Sequence, residues 1–424
     1  MVLFDRWGLN AVPMKDEERQ LLYCLTAYRL GQKTAQQVGN FITIDWPRLY
    51  RLAAVHKLGA VVYETLRGLP GFCREQPQLA ARWRRETMIQ AASQLAKTQR
   101  LLRLTGALEV AGVRYAVVKG ALCREMYTRP ELRPSGDEDI LIAPEDFSKC
   151  SAVLIQNGME RTDEEEGPVT HWLDRQTGLH VELHTELFST KLASDHLLNN
   201  CFSQQLNHTV SMPVSGGTVC TFQPTYHFLF LVCHAIKHFI AGGFGIRTLC
   251  DIVTYAEQHQ EAIDQDAVYA WLEKAKGRVF LDQVLSIGQE FLSMNPKGWA
   301  MSAPAHAAEM LEDILDAGIY GQSTMSRRHS GALVLRAAEE GQTRPNVIRA
   351  AFPPKEQLVG RYPILEKRPA LLPVMWIRRL GAYGLELIKS QKSDNSLRDN
   401  LALGKQRTEM MIRYGIIPRD KTKN

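Results

Sequence analysis

Two aspartates stand two positions apart in the stretch RPSGDEDILI, Arg133 to Ile142, at the mouth of what reads as a short buried strand. Side chains alternate along a strand, so Asp137 and Asp139 share one face while Ile140 and Ile142 take the other. Two carboxylates held close repel each other and lose hydration, and a divalent cation bound through oxygen relieves both costs. Magnesium is the natural ion, with manganese as an alternative. The spacing alone leaves a second reading open, in which the pair is a set of strand-edge acids paired with Arg133 and Arg124.

A third acid strengthens the chemical reading. In LHVELH, Val181 and Leu183 face one side, and His180, Glu182 and His184 face the other. Three carboxylates on adjacent strands can hold two metal ions, one activating an attacking hydroxyl and one bracing a triphosphate. An ordinary polar sheet face is the competing account. Lys119-Gly120 closes the strand before the pair, where glycine lets backbone approach a ligand and lysine offers a point charge to phosphate. No G-x-x-x-x-G-K-[ST] sequence occurs, which excludes a P-loop. Downstream, His227, His234 and His238 can share a helix face. Ala235 follows His234, so the metalloprotease H-E-x-x-H is absent. The histidines then read as metal ligands, as polar lining of a cleft with Arg247 and Asp251, or as helix packing.

The elements that must position these residues form three blocks. From Asp16 to Ala111 apolar residues recur at three and four, as in DEERQLLYCLTAYRL and the run from Arg85 to Val110, with Asp45 before Trp46-Pro47 as an N-cap. At Gly112 the period becomes two. VRYAVVKG and DEDILI read as strands, and Pro144 opens a helix closed by Gly158. VTHWLDRQ and LHVELH form a hairpin turning near Thr177-Gly178, and HTVSMPV and TVCTF form a ribbon turning at Gly216-Gly217. Beyond Pro224 the helical period returns. The expected class is α+β, a small mixed β-sheet between two helical regions, divided as 1–95, 96–225 and 226–424. Glu138 falls on the apolar face of its strand, where an acid is costly, and is expected to reach solvent from the strand's start.

Composition narrows the function classes. A chain of 424 residues, 45% hydrophobic and 23% charged, has the profile of a folded globular protein. A formal charge of +5 is too small to argue for nucleic acid, although basic residues outnumber acidic ones more than two to one beyond Arg361. The eight cysteines include no C-x-x-C pair, which fits a reducing cytoplasm and neither a disulfide scaffold nor a zinc ribbon. MVLFDRWGLN has no signal-peptide core, and no run reaches the length of a membrane span, so a cytoplasmic protein is expected.

Taken in order, VVKG, Tyr127, the R-P-x-x-D-x-D run and V-E-L-H resemble the uncharacterised bacterial nucleotidyltransferase family of the DNA polymerase β-like nucleotidyltransferase superfamily. IDWPRLYRLAAVHKLGAVVYETL, HAIKHFIAGGFGIRTLCDIV and FPPKEQLVGRYP extend the resemblance over about residues 20 to 380. It implies a nucleotidyltransferase core with Asp137, Asp139 and Glu182 as metal ligands and catalytic carboxylates, and Lys119 and Arg133 at the nucleotide phosphates. Gly120, His184, His234 and His238 complete the candidate cofactor-contacting set. The implied reaction is attack of an acceptor hydroxyl on a nucleoside triphosphate, with pyrophosphate leaving and magnesium as cofactor. The acceptor is a small molecule, a protein or RNA. Two other expectations are a catalytically silent nucleotide-binding or scaffold protein of the same fold, and a toxin-like enzyme that modifies RNA.

Overall fold

In the computed structural model, residues 14–31, 44–68, 70–163, 167–188, 193–301 and 306–317 are described, together with parts of 352–417. The N-terminal helices are α1 (Asp16–Leu30), α2 (Trp46–Val55), α3 (Gly59–Leu66), the short α4 (Pro70–Glu75) and the long α5 (Pro77–Val110). Asp45 caps α2 as its type and position require, its Oδ1 accepting the Arg48 N–H at 3.0 Å. Trp46, Phe72 and Trp83 form an aromatic centre for these helices, and the Trp83 indole donates to the Gly59 carbonyl at 2.8 Å.

The sheet begins after the α5 C-terminus, where Gly112 takes φ +65° and reverses the chain. Its elements are β1 (Tyr115–Val117), a five-residue helix α6 (Ala121–Glu125), β2 (Glu138–Ile142), α7 (Phe147–Gln156), β3 (Glu160–Arg161), β4 (Val169–Asp174) and β5 (Leu179–His184). The periodicity gave no sign of α6 or of the two-residue β3. The strand order is β1-β2-β5-β4-β3, with β2 and β5 parallel and the other neighbours antiparallel. The fold is α+β, as expected, and the sheet is mixed because β5 returns beside β2 in the same direction. One face is apolar: Tyr115, Val117, Ile140, Ile142, Val181 and Leu183 pack with Leu101, Leu104 and Leu108 of α5 and Leu154 of α7.

After α8 (Ala193–Gln205) a separate ribbon, β6 (Val210–Val214) and β7 (Gly217–Thr221), adds Val214 and Val219 to the same core. Its turn residues are Ser215 and Gly216, both at positive φ, one position earlier than the sequence suggested. Gly217 starts β7 instead, with Leu102 packed where a side chain would stand. The later helices are α9 (Pro224–Ala241), α10 (Ile246–Gln258), α11 (Gln265–Lys274), α12 (Arg278–Leu292) and α13 (Ala307–Ala317).

The chain forms two units. The first comprises 1–236 and 244–319 and holds the sheet. The second comprises 237–243 and 320–424. In it Leu358, Leu365 and Met375 pack together, and the buried Arg407 donates to the Phe239 carbonyl with its guanidinium 5.4 Å from the Phe239 ring centre. Much of the basic C-terminal stretch lies outside the described residues. Among the described residues, no helix is long and apolar enough to cross a membrane.

Candidate active site

Register places the acids. In the parallel β2–β5 pair Asp139 lies directly opposite Glu182, and both point away from the apolar face. Asp137 sits immediately before β2, and its carbonyl accepts a 2.8 Å bond from the Ser135 hydroxyl. Around Asp139 the structure gathers three of the other expected residues. His184 Nε2 lies 3.2 Å from Asp139 Oδ1 and 3.6 Å from Glu182 Oε2, and Lys119 Nζ lies 3.9 Å from Asp139 Oδ2. His234, on α9, brings its Nε2 to 3.4 Å from Lys119 Nζ.

The electrostatics follow from burial and crowding. Burial, reinforced by the neighbouring Asp139 charge, pushes the Asp137 carboxyl above its ordinary range. The nearby His184 imidazole holds Glu182 below its own. For His184 burial opposes the charged form, but the contacts with Asp139 and Glu182 outweigh it and push the imidazole up to about 9. Asp139, Glu182 and His184 bring one donor atom each within 4.8 Å of one another, and Asp137, just before β2, feels the charges of Asp139 and Glu182. The carboxylate oxygens of this group suit a hard divalent cation such as magnesium, with the His184 imidazole beside them.

Other expected residues take different places. Arg133 is 1% exposed and turned away from the acids. Its Nη2 bonds Asp251 Oδ2 and its Nε donates to Asp251 Oδ1 at 3.2 Å, where the Tyr127 hydroxyl also donates at 3.0 Å. Arg247 donates to the Pro134 carbonyl at 2.8 Å. Arg247 and Asp251 thus hold the segment leading into the aspartates. His227 is buried, pushed down to about 4 by that burial, with Nε2 2.8 Å from the Val118 carbonyl. It braces α9 against the end of β1. His238 belongs to the second unit.

Glu138 corrects the expectation that it reaches solvent, since it is 1% exposed. Its Oε1 accepts from Arg124 at 2.6 Å and its Oε2 from the Ala121 N–H at 2.7 Å. Arg124, itself 1% exposed, also donates to Gln94 Oε1 at 3.3 Å and Thr98 Oγ1 at 3.1 Å, both on α5. A buried acid is tolerable once its oxygens are bonded and its charge met. The same carboxylate explains Gly120, which takes φ +57°. A Cβ there would collide with Glu138. The close approach that glycine permits is thus made by a side chain of the protein. Of the two arginines considered as partners for the aspartates, Arg124 is taken by Glu138 and Arg133 by Asp251.

Sequence reasoning passed over Gln94 on α5, whose amide receives the Ser135 N–H and donates to the Ser135 carbonyl, each at 3.2 Å. The segment before Asp137 is therefore clamped from α5 and from α10. A buried glutamine on a helix face rich in Leu and Thr was the available signal.

A family model described as "Uncharacterised nucleotidyltransferase" matches residues 43–293, which takes in α2 to α12 and every site residue above, and ends well before FPPKEQLVGRYP. No curated protein and no solved structure matches the chain.

Proposed function

The chain belongs to this uncharacterised nucleotidyltransferase family, an enzyme class defined by nucleotidyl transfer, and on that premise we propose that it moves a nucleoside monophosphate from a nucleoside triphosphate to an acceptor hydroxyl in a magnesium-dependent reaction. The observation that carries the proposal is the direct pairing of Asp139 with Glu182 on parallel strands, with Asp137 before them and Lys119 beside them.

Asp137, Asp139 and Glu182 would hold the ion. When bound, it supplies charge neutralisation at the triphosphate and lowers the pKa of a coordinated hydroxyl. The residues supply position. β2 and β5 fix two carboxylates through the ladder, and Gln94, Arg133 and Arg247 fix the approach to the third. Lys119 offers its ammonium on the side of Asp139 remote from the apolar core, where a phosphate oxygen would find it. The acceptor oxygen bonds to the α-phosphorus, the bond from that phosphorus to the pyrophosphate oxygen breaks, and the hydroxyl proton is lost to the carboxylate-lined site. Positioning and charge neutralisation account for the acceleration. The eight cysteines are all free, which supports a reducing compartment such as the cytoplasm.

Glu138 and the weak phosphate motif were the two reasons to consider a catalytically silent protein, and the first falls away because the Glu138 charge is met within the fold. The deciding measurement is pyrophosphate release by the purified full chain with each nucleoside triphosphate and magnesium, across small-molecule, protein and RNA acceptors. Asp137→Ala and Asp139→Ala should each lower the rate by about 1000-fold or more, a loss of about 4 kcal/mol of transition-state stabilisation, while circular dichroism stays native. Turnover equal to the parent in both variants would sink the proposal.

A further inference from the structure

Glu182 directs its two oxygens at two different groups. Oε2 lies 3.6 Å from His184 Nε2, on the side of Asp139, whereas Oε1 lies 3.7 Å from His171 Nδ1 on the neighbouring strand β4. His171 is the direct register partner of Glu182, and His180 precedes Glu182 by two positions on β5. All three side chains therefore leave the same face of the hairpin at adjacent points. The imidazoles of His171 and His180 are stacked, with ring centres 5.5 Å apart and planes at 22°. One donor atom from each of the three residues lies within 4.8 Å of the other two.

We propose that His171, His180 and Glu182 form a binding site for a borderline divalent transition metal, with zinc the best chemical match, and that this site shares Glu182 with the carboxylate site at Asp137 and Asp139. The donors decide the ion. Two imidazoles and a carboxylate are a ligand set that zinc accepts, at about 2.0 to 2.2 Å from each donor, with a further position left for water. Magnesium prefers oxygen donors and keeps much of its own water, so the two imidazoles select against it.

The scaffold also suits a metal site. The three residues are half-buried, so an ion can enter from solvent and the side chains can rotate inward to close the present spread. The backbone that carries them is held more firmly. β4 and β5 pair over six residues, and Asp174 closes their loop by accepting the Gln176 and Thr177 N–H groups at 2.8 and 3.2 Å. Asp174 is in turn paired with Arg100 of α5. Binding therefore needs side-chain adjustment and leaves the ladder intact. A stacked histidine pair leaning on a carboxylate is the alternative, and it retains no metal.

The site rests on the hairpin alone and stands whether or not the chain transfers nucleotides. The test titrates chelator-stripped full-length protein with zinc against a chromophoric chelator, for the parent chain, the His171→Asn/His180→Asn double variant and Glu182→Gln. The parent should hold one zinc per chain, unaffected by excess magnesium. The double variant should bind at least about 100-fold more weakly, since even partners outside the ligand shell are worth 10–100-fold in metal affinity, and Glu182→Gln about 10-fold more weakly. Equal affinity in the parent and the double variant, or displacement by magnesium, overturns the proposal. Cobalt(II) gives a second readout. Intensified visible bands of a low-coordinate ion that appear in the parent and are lost in the double variant support the site, whereas bands that persist in the double variant, or an aquo-cobalt spectrum in the parent, overturn it.

Discussion

Glu138 and Asp139 are neighbours on β2, 1% and 4% exposed, yet their charges are met by different means. Glu138 points into the face that packs on α5, and its oxygens are taken by the Arg124 guanidinium at 2.6 Å and the Ala121 N–H at 2.7 Å. These are the lengths of committed, charge-assisted bonds. Asp139 points to the other face and meets His184 at 3.2 Å and Lys119 at 3.9 Å, longer than such bonds usually run. One face spends its acid on the fold. The other sets Asp139 beside the His184 imidazole and the Lys119 ammonium, on the face that carries Glu182. Burial alone therefore does not tell the two acids apart, whereas the face each one leaves does.

The largest effect that separates the two faces should come from Arg124→Ala. It strands the Glu138 carboxylate in an apolar core, and breaking a buried pair in this way costs about 3–5 kcal/mol. Chemical denaturation should show the midpoint falling accordingly. Replacing both partners, as in Glu138→Leu with Arg124→Met, should recover part of that loss, because an apolar pair replaces a buried ion pair at little cost while the Ala121 N–H is left without its acceptor. A double variant as unstable as Arg124→Ala would mean that Glu138 serves more than the fold.

Arg133 gives the next largest effect and probes the boundary between the faces. The resemblance set it at the nucleotide phosphates, whereas its guanidinium is engaged by Asp251. Arg133→Lys keeps the charge and loses the bidentate fork, so stability should fall by about 1–3 kcal/mol. The KM for nucleoside triphosphate should stay within about twofold of the parent, because uniform binding to substrate has not been touched. A raised KM at unchanged stability would return Arg133 to the phosphates.

What could be read from the sequence divides along the same line. Alternation within DEDILI and LHVELH was enough to place Asp137 and Asp139 on one face, Glu182 on the matching face of its own strand, and the apolar residues on the other, because a strand's period is a local property. The helical blocks and both hairpins were legible for the same reason. The partners of the charged groups were not. Arg133 meets Asp251 across 118 positions, and Arg124 meets Gln94 and Thr98 on α5 and Glu138 on β2. No local period encodes such pairings. The helix α6 was missed because only five residues follow Gly120 before its C-cap, too few for a period to show. His171 was passed over because its role depends on the β4–β5 register, which fixes its neighbour as Glu182.

The smallest predicted stability change belongs to Gln94, and it tests whether the two faces communicate. Its amide bonds both backbone groups of Ser135, whose hydroxyl in turn bonds the Asp137 carbonyl, and its oxygen also receives Arg124. One side chain therefore touches the ion pair on the closed face and the backbone that aims Asp137 on the open one. Gln94→Ala should cost about 1–2 kcal/mol, the usual penalty for leaving a few buried polar groups without partners. Its effect on transfer should be larger than that stability loss suggests, with kcat down by about 10-fold or more while KM moves little, because a small misplacement at a catalytic group is expensive. Steady-state kinetics below the unfolding transition separate the two. A proportionate fall in kcat and active fraction would reduce Gln94 to a packing residue, whereas a selective fall in kcat would make it a positioning residue that acts through Ser135 on Asp137.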